Sequence, residues 1–163
     1  MDLKTLYNQI ITENSRSRRN RHPVEGATHT LEGVNPSCGD DITLQLRVVD
    51  GVVEDAGFTG NGCAISQASA SLMIDDILGK PIEEARRLIG LFLGMVKGTV
   101  GPDEIDDLED AAALQGIAHT PARTKCAVLA WHTLEEALSG KTESGRKTLC
   151  RFMAEGLLFI SAP

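Results

Sequence analysis

Apolar and polar positions along the chain alternate between two periods, near 3.6 and near 2, and each change of period marks an element. Leu3, Leu6, Tyr7, Ile10 and Ile11 recur at helical spacing behind Asp2, a residue suited to an N-cap, and predict a first helix ending near Asn14 that docks by one face. Ser15 to Arg21 then carries Arg16, Arg18, Arg19 and Arg21. It reads as a solvated connector, the alternative being a positive collar for an acidic partner surface. His22-Pro23 breaks the backbone, and Ala27 to Leu31 is predicted as a short edge strand. Ile42, Leu44, Leu46 and Val48 alternate with Thr43, Gln45 and Arg47, the pattern of a strand with one buried face. Asp50-Gly51 is a hairpin signal, so Val52 to Thr59 returns antiparallel.

Gly60-Asn61-Gly62 closes that strand and opens a helix from about Cys63 to Leu78. Its first turns, Ala64 to Ser71, are small and polar, which allows close approach to the sheet. Gly79-Lys80-Pro81 ends it, and Pro81 suits the first turn of the next helix. That helix has an apolar stripe of Ile82, Ala85, Leu88, Ile89, Phe92, Met95 and Val96. Gly98 to Asp110 is acidic and turn-rich and predicts an exposed loop entering a short helix at Ala111 to Leu114. Pro121 starts a last long helix whose packed face includes Cys126, Leu129, Ala130, Thr133 and Leu134. An antiparallel sheet with helices on one face follows. Residues 1–140 are expected to form one packed domain and 141–163 a tail with an apolar end, Leu157 to Ile160, and no motif.

Composition narrows the class. A chain of 163 residues can bury a real core in one domain. Hydrophobic residues are 42% and charged residues 24%, ordinary for a soluble globular protein, while aromatics are only 4%, so Leu, Ile, Val and Ala must build the core. The net charge of −7 argues against nucleic acid as the main partner. No apolar run approaches the roughly 20 residues that span a bilayer. Met1-Asp2-Leu3-Lys4 lacks a secretory n-region and h-region, so a cytoplasmic location without membrane attachment is expected.

Four cysteines in such a chain read as ligands or reactive thiols rather than as a disulfide framework. Paired zinc-ribbon spacing is absent: Cys38, Cys63 and Cys126 are separated by 25 and 63 residues, so a shared site must be assembled by the fold. Pro36-Ser37-Cys38-Gly39-Asp40-Asp41 sets a thiol and a carboxylate two residues apart on a turn. Gly60-Asn61-Gly62-Cys63 puts a second thiol at a helix N-terminus, where the dipole favours thiolate. Arg123-Thr124-Lys125-Cys126 places a third in the first turns of another helix. We read the three segments as closing around one metal ion. Three thiolates and a carboxylate suit zinc. An Asp among three Cys is unusual for a purely structural zinc and suggests an exchangeable ligand. A metal-bound thiolate is already deprotonated, so one that leaves the metal is a ready nucleophile. Taken singly, each residue has a duller role. A buried Cys is often a small core residue, and Asp40 or Asp41 suits a turn. Cys150 has no evident part in the site, and none of His22, His29, His119 and His132 adjoins a cysteine; His119 is the spare ligand nearest Cys126.

Asn35-Pro36-Ser37-Cys38-Gly39-Asp40, Asp50-Gly51-Val52-Val53-Glu54-Asp55-Ala56-Gly57-Phe58, Gly60-Asn61-Gly62-Cys63-Ala64-Ile65-Ser66 and Lys125-Cys126-Ala127-Val128-Leu129-Ala130-Trp131, in that order, resemble the IscU/SufU (NifU N-terminal-like) family over roughly residues 1–140. The resemblance implies an α+β fold: a small three-stranded antiparallel sheet with helices packed on it and a metal site at one end. IscU-type scaffolds carry a His before the last cysteine and a Leu-Pro-Pro-Val-Lys segment. Here Lys125 stands before Cys126 and that segment is absent. A long acidic stretch between Cys63 and Cys126, with Arg123 three residues before Cys126, is similar to the SufU branch.

What that branch implies is zinc held by Cys38, Asp40, Cys63 and Cys126, and catalytic roles for Cys38 and Arg123. It also implies a SufS-type cysteine desulfurase, a PLP enzyme, as partner, with iron–sulfur assembly proteins downstream. Cys38 would accept persulfide sulfur, making the chain a zinc-dependent sulfurtransferase. Arg123 would steady a departing thiolate or form a salt bridge on the last helix. Two other readings stand beside it. One is a scaffold on which iron is assembled into a [2Fe–2S] cluster by the same residues, since thiolates ligate both metals. The other is a structural zinc protein that binds partners without chemistry. The tail beyond Ser139 has no counterpart in the resemblance.

Overall fold

The apolar side chains of the central strand decide the architecture, because Ile42, Leu44 and Leu46 are all buried on one face of it. A computed structural model describes residues 2–139; the expected tail, 141–163, and Cys150 lie outside the described residues. The elements run α1 (Leu3–Arg16), β1 (His29–Asn35), β2 (Asp40–Val49), β3 (Val52–Asn61), α2 (Ala64–Ile77), α3 (Ile82–Lys97), α4 (Pro102–Ile105), a 3₁₀ stretch (Asp106–His119) and α5 (Pro121–Leu138). The strands form one antiparallel sheet in the order β1-β2-β3. Leu31 lies opposite Leu44, and Leu44 opposite Phe58, so the buried faces of all three strands are in register. Asp50 and Gly51 both have positive φ, 53° and 76°, which matches the turn to the twist of the flanking strands. The fold is α+β, as expected. β1 is longer than Ala27 to Leu31, reaching Asn35 because Val34 and Asn35 pair with Asp41 and Asp40.

Helices α2 and α5 cover the buried face. The small residues of α2 allow this: Ala68, Ser69 and Ala70 are fully buried. Ser69 Oγ donates to the Ala127 carbonyl at 2.6 Å and accepts from Trp131 Nε1 at 3.1 Å, so the polar atoms of the contact are paired. Trp131 stacks on Phe92 of α3 with ring centroids 4.3 Å apart, closing the core from the far side. Arg86 of α3 donates to the Leu138 carbonyl at 2.6 Å, at the end of α5.

Three expectations change. Asp2 does cap α1, accepting from Thr5 N at 2.7 Å, but the docked part of the helix is Ile10 and Ile11, while Leu3 and Leu6 remain exposed. The arginine-rich connector is tied down rather than simply solvated. Arg19 pairs with Asp75 at 2.5 Å, Arg21 reaches Gln67 and the Gly60 carbonyl, and the buried Asn20 donates to the Ser71 carbonyl at 2.9 Å. The acidic segment is no plain loop either. It forms α4 over Pro102–Ile105 and then a 3₁₀ stretch broken at Glu109, whose backbone (φ 49°, ψ −126°) is not helical, and it buries Leu108, Ala111 to Leu114 and Ile117. Its acidic side chains face out, which hides the pattern from a reading by charge. Among the described residues no helix is long and apolar enough to cross a membrane.

One buried group works against the fold. Asp76 on α2 is 3% exposed, and its Oδ2 has no hydrogen-bond partner. Burial, with Glu109, Asp75 and Asp110 nearby, pushes its carboxyl up to about 8, against the opposing pull of Lys80. A carboxyl whose folded pKa is raised keeps its proton after the unfolded chain has lost its own. Stability therefore falls as pH rises from about 4 to about 8. Asp76→Asn keeps the shape but cannot ionise, so it should raise unfolding free energy at pH 8 by at least about 1 kcal/mol, the order that one pKa step represents. The gain should shrink toward pH 4; urea denaturation of both proteins at the two pH values measures it.

Candidate metal centre

The loop Pro36–Gly39 joins β1 to β2, and register sets Asn35 opposite Asp40 at its base. Cys38 N donates to the Asn35 carbonyl at 3.3 Å, and Gly39 turns the chain back with φ 71°, a conformation glycine adopts without strain. This geometry lifts Cys38 to the exposed surface while rooting Asp40, fully buried, in the interior.

A buried carboxylate needs donors, and Asp40 has them from two elements. Its Oδ1 accepts from the Cys63 backbone N–H at 2.8 Å and from Ser66 Oγ at 3.0 Å, both at the start of α2. Its Oδ2 accepts from Asn35 Nδ2 at 3.2 Å. Cys63 is the N-cap of α2 rather than its first helical residue. Its Sγ accepts from Ser66 N at 3.4 Å, the place usually taken by an Asp or Ser oxygen. Gly62 is needed for this knot: a Cβ there would overlap Ser66 Oγ and come within 3.1 Å of Asp40 Oδ1.

α5 carries Cys126 in its second turn, 1% exposed, with its Sγ 3.0 Å from that of Cys38 and 3.5 Å from Asn35 Nδ2. Donor atoms of Cys38, Asp40 and Cys126 all lie within 4.8 Å of one another, and among the described residues this is the one such cluster of His, Cys, Asp or Glu. Two sulfurs and a carboxylate oxygen at that separation suit one zinc ion, whose bonds run about 2.0–2.3 Å. Burial pushes the Cys126 thiol well above its ordinary range. Hydrogen bonding with Cys38, Asp40 and Cys63 adds to the shift, so without a cation this sulfur keeps its proton.

The site residues read from the sequence therefore divide. Cys38, Asp40 and Cys126 come together. Cys63 adjoins them through its backbone bond to Asp40 and its effect on Cys126, with its sulfur engaged at the helix cap. Arg123 is exposed on α5, three residues before Cys126 and so on the same side of the helix. It forms no salt bridge among the described residues. His119 is exposed and outside the cluster. Asn35 and Ser66 were not singled out by the sequence reading. Ser66 had a signal, standing three residues after an N-cap. Asn35 had one only if β1 had been carried through to pair with Asp40.

Residues 6–145 match the family model for the NifU-like N terminal domain. An iron–sulfur cluster assembly scaffold protein IscU of Thermotoga maritima is 45% identical over 140 residues, covering 85% of this chain and 96% of that protein. The zinc-dependent sulfurtransferase SufU of Bacillus subtilis is 42% identical over 144 residues, covering 88% of this chain and 96% of that protein. A crystal structure described as an iron–sulfur cluster assembly scaffold protein for the SUF system, from Fervidobacterium islandicum, superposes with a TM-score of 0.75 at 33% identity, covering 82% of this chain and 97% of that one.

The knot around Asp40 can be tested without any assay of function. Gly62→Ala should lower unfolding free energy by about 1–3 kcal/mol, the usual cost of overpacking. Gly90→Ala, where a Cβ meets nothing within 4 Å, should be neutral or stabilising in the same denaturation experiment.

Proposed function

Given that the chain belongs to the NifU-like N-terminal domain family, we propose that it works in iron–sulfur cluster assembly as a zinc-dependent acceptor of persulfide sulfur from a SufS-type cysteine desulfurase. In this reading Cys38, Asp40, Cys63 and Cys126 hold the zinc, with residues 1–140 as the working unit. The observation that carries it is the asymmetry of the cluster. Cys38 stands on an exposed loop, while Asp40 and Cys126, whose donor atoms it meets, are buried. A site built this way lets one sulfur move out while the others stay.

Zinc, when bound, would hold the ligand thiols deprotonated at neutral pH without redox chemistry of its own. The chain's own residues do the rest. The Cys38 thiolate attacks the outer sulfur of the partner's cysteine persulfide. A new S–S bond forms to Cys38, the old one breaks, and the partner's cysteine leaves as thiolate. Cys38 then carries the persulfide, and no electrons are gained or lost overall. In this reading Arg123, exposed on α5 three residues before Cys126 and in no salt bridge among the described residues, attracts the anionic sulfur. Asp40 is held on both oxygens by β1 and α2 and so keeps its place when the loop moves.

A second reading, a scaffold for a [2Fe–2S] cluster, is favoured by the Thermotoga relative's name. The donor set serves iron as well as zinc. One experiment separates them: desulfurase turnover with and without the chain, alongside metal analysis of the purified protein. Persulfide acceptance predicts bound zinc and a stimulation that Cys38→Ala abolishes and Arg123→Ala lowers about 10-fold or more. A coloured, iron-containing protein with no stimulation would mean the scaffold instead.

A further inference from the structure

The three sulfurs around the site differ in what donates to them. Cys126 Sγ accepts from Asn35 Nδ2, and Cys63 Sγ from the Ser66 backbone N–H. Cys38 Sγ has no N–H donor among the described residues; its one hydrogen bond there is with the Cys126 thiol. An N–H bond draws charge from a thiolate, fixes its direction and makes it a steadier ligand and a poorer nucleophile. By this measure Cys38 is the odd sulfur.

Asn35 is the group that makes the difference at Cys126. It is fully buried, and its single Nδ2 bridges Asp40 Oδ2 at 3.2 Å and Cys126 Sγ at 3.5 Å, tying the base of the β1–β2 hairpin to α5. Its Oδ1 is buried with no partner. Turning the amide over would set that oxygen against the Asp40 carboxylate, so the orientation is fixed by charge. An amide kept here with its acceptor unsatisfied is kept for its donor side.

Resting on the zinc reading above, we propose that Asn35 is a positioning residue that ranks the sulfurs. By donating to Cys126 and Asp40 it holds both as fixed ligands, and it leaves Cys38 as the one that departs and reacts. The role needs no sulfur transfer to be seen. On zinc-loaded protein, iodoacetamide labelling followed by peptide mass spectrometry reports the order in which the cysteines react, and a chromophoric chelator reports zinc affinity. The wild-type chain should label at Cys38 first, with Cys63 and Cys126 protected.

Asn35→Leu, close in size but without donors, should bind zinc about 10–100-fold more weakly, the usual loss for a group that supports a ligand. It should also label at Cys126 within a few-fold of Cys38. Should the leucine not fold, Asn35→Val, smaller and suited to a strand, is read the same way. A folded variant with unchanged zinc affinity and Cys38 still reacting alone overturns the role of Asn35 while leaving the zinc reading intact. A wild-type chain that holds no zinc, or labels all three cysteines alike, overturns the zinc reading and this inference with it.

Discussion

A carboxylate with no exposure to water is tolerable only when its oxygens are bonded, and Asp40 is such a group. It draws a backbone N–H and a hydroxyl from the start of α2 and a side-chain amide from the end of β1. Those bonds fix the angle at which the first helix after the sheet leaves it, and so where Cys63 stands. They also fix the base of the loop that presents Cys38. The candidate metal centre is thus less a set of ligands than a joint between hairpin and helix, with one carboxylate as its pin.

The rest of the fold serves to bring α5 to that joint. Small residues on α2 let α5 approach until Ser69 bonds both Ala127 and Trp131, and the Trp131–Phe92 stack locks α5 against α3. Cys126 lies one helical turn before Ala130 in the same buried row, so the packing that seats Trp131 also seats the third sulfur. Core and site are therefore coupled. The loop bearing Cys38 is rooted in that coupling at its base, while Cys38 itself stands at the surface, as the proposed sulfur transfer requires.

Much of this was legible in the residues. The period-2 run from Ile42 to Val48, the Asp50-Gly51 turn and the Gly60-Asn61-Gly62-Cys63 switch from strand to helix gave β2, β3 and the start of α2 nearly to the residue. What went unread has physical causes. Within the acidic segment only Ala111 to Leu114 reads as helix; α4 and the 3₁₀ turns are interrupted at Glu109 and carry acids on their surface, so no sustained period or hydropathy marks the rest. Arg19 and Arg21 looked solvated because their partners, Asp75, Gln67 and the Gly60 carbonyl, are about forty to fifty-six residues away along the chain.

Taken alone, the sequence determined the strands and the long helices, the thiol and carboxylate inventory, and the turn that carries Cys38, because periodicity, turn chemistry and capping act over a few neighbouring residues. It could not determine which donor falls on which acceptor. That Asn35 reaches across to Cys126, or that Asp76 is buried without a partner, depends on contacts between segments far apart in the chain. Only the close packing of helices on the sheet sets those distances, and hydrogen bonds turn on tenths of an ångström.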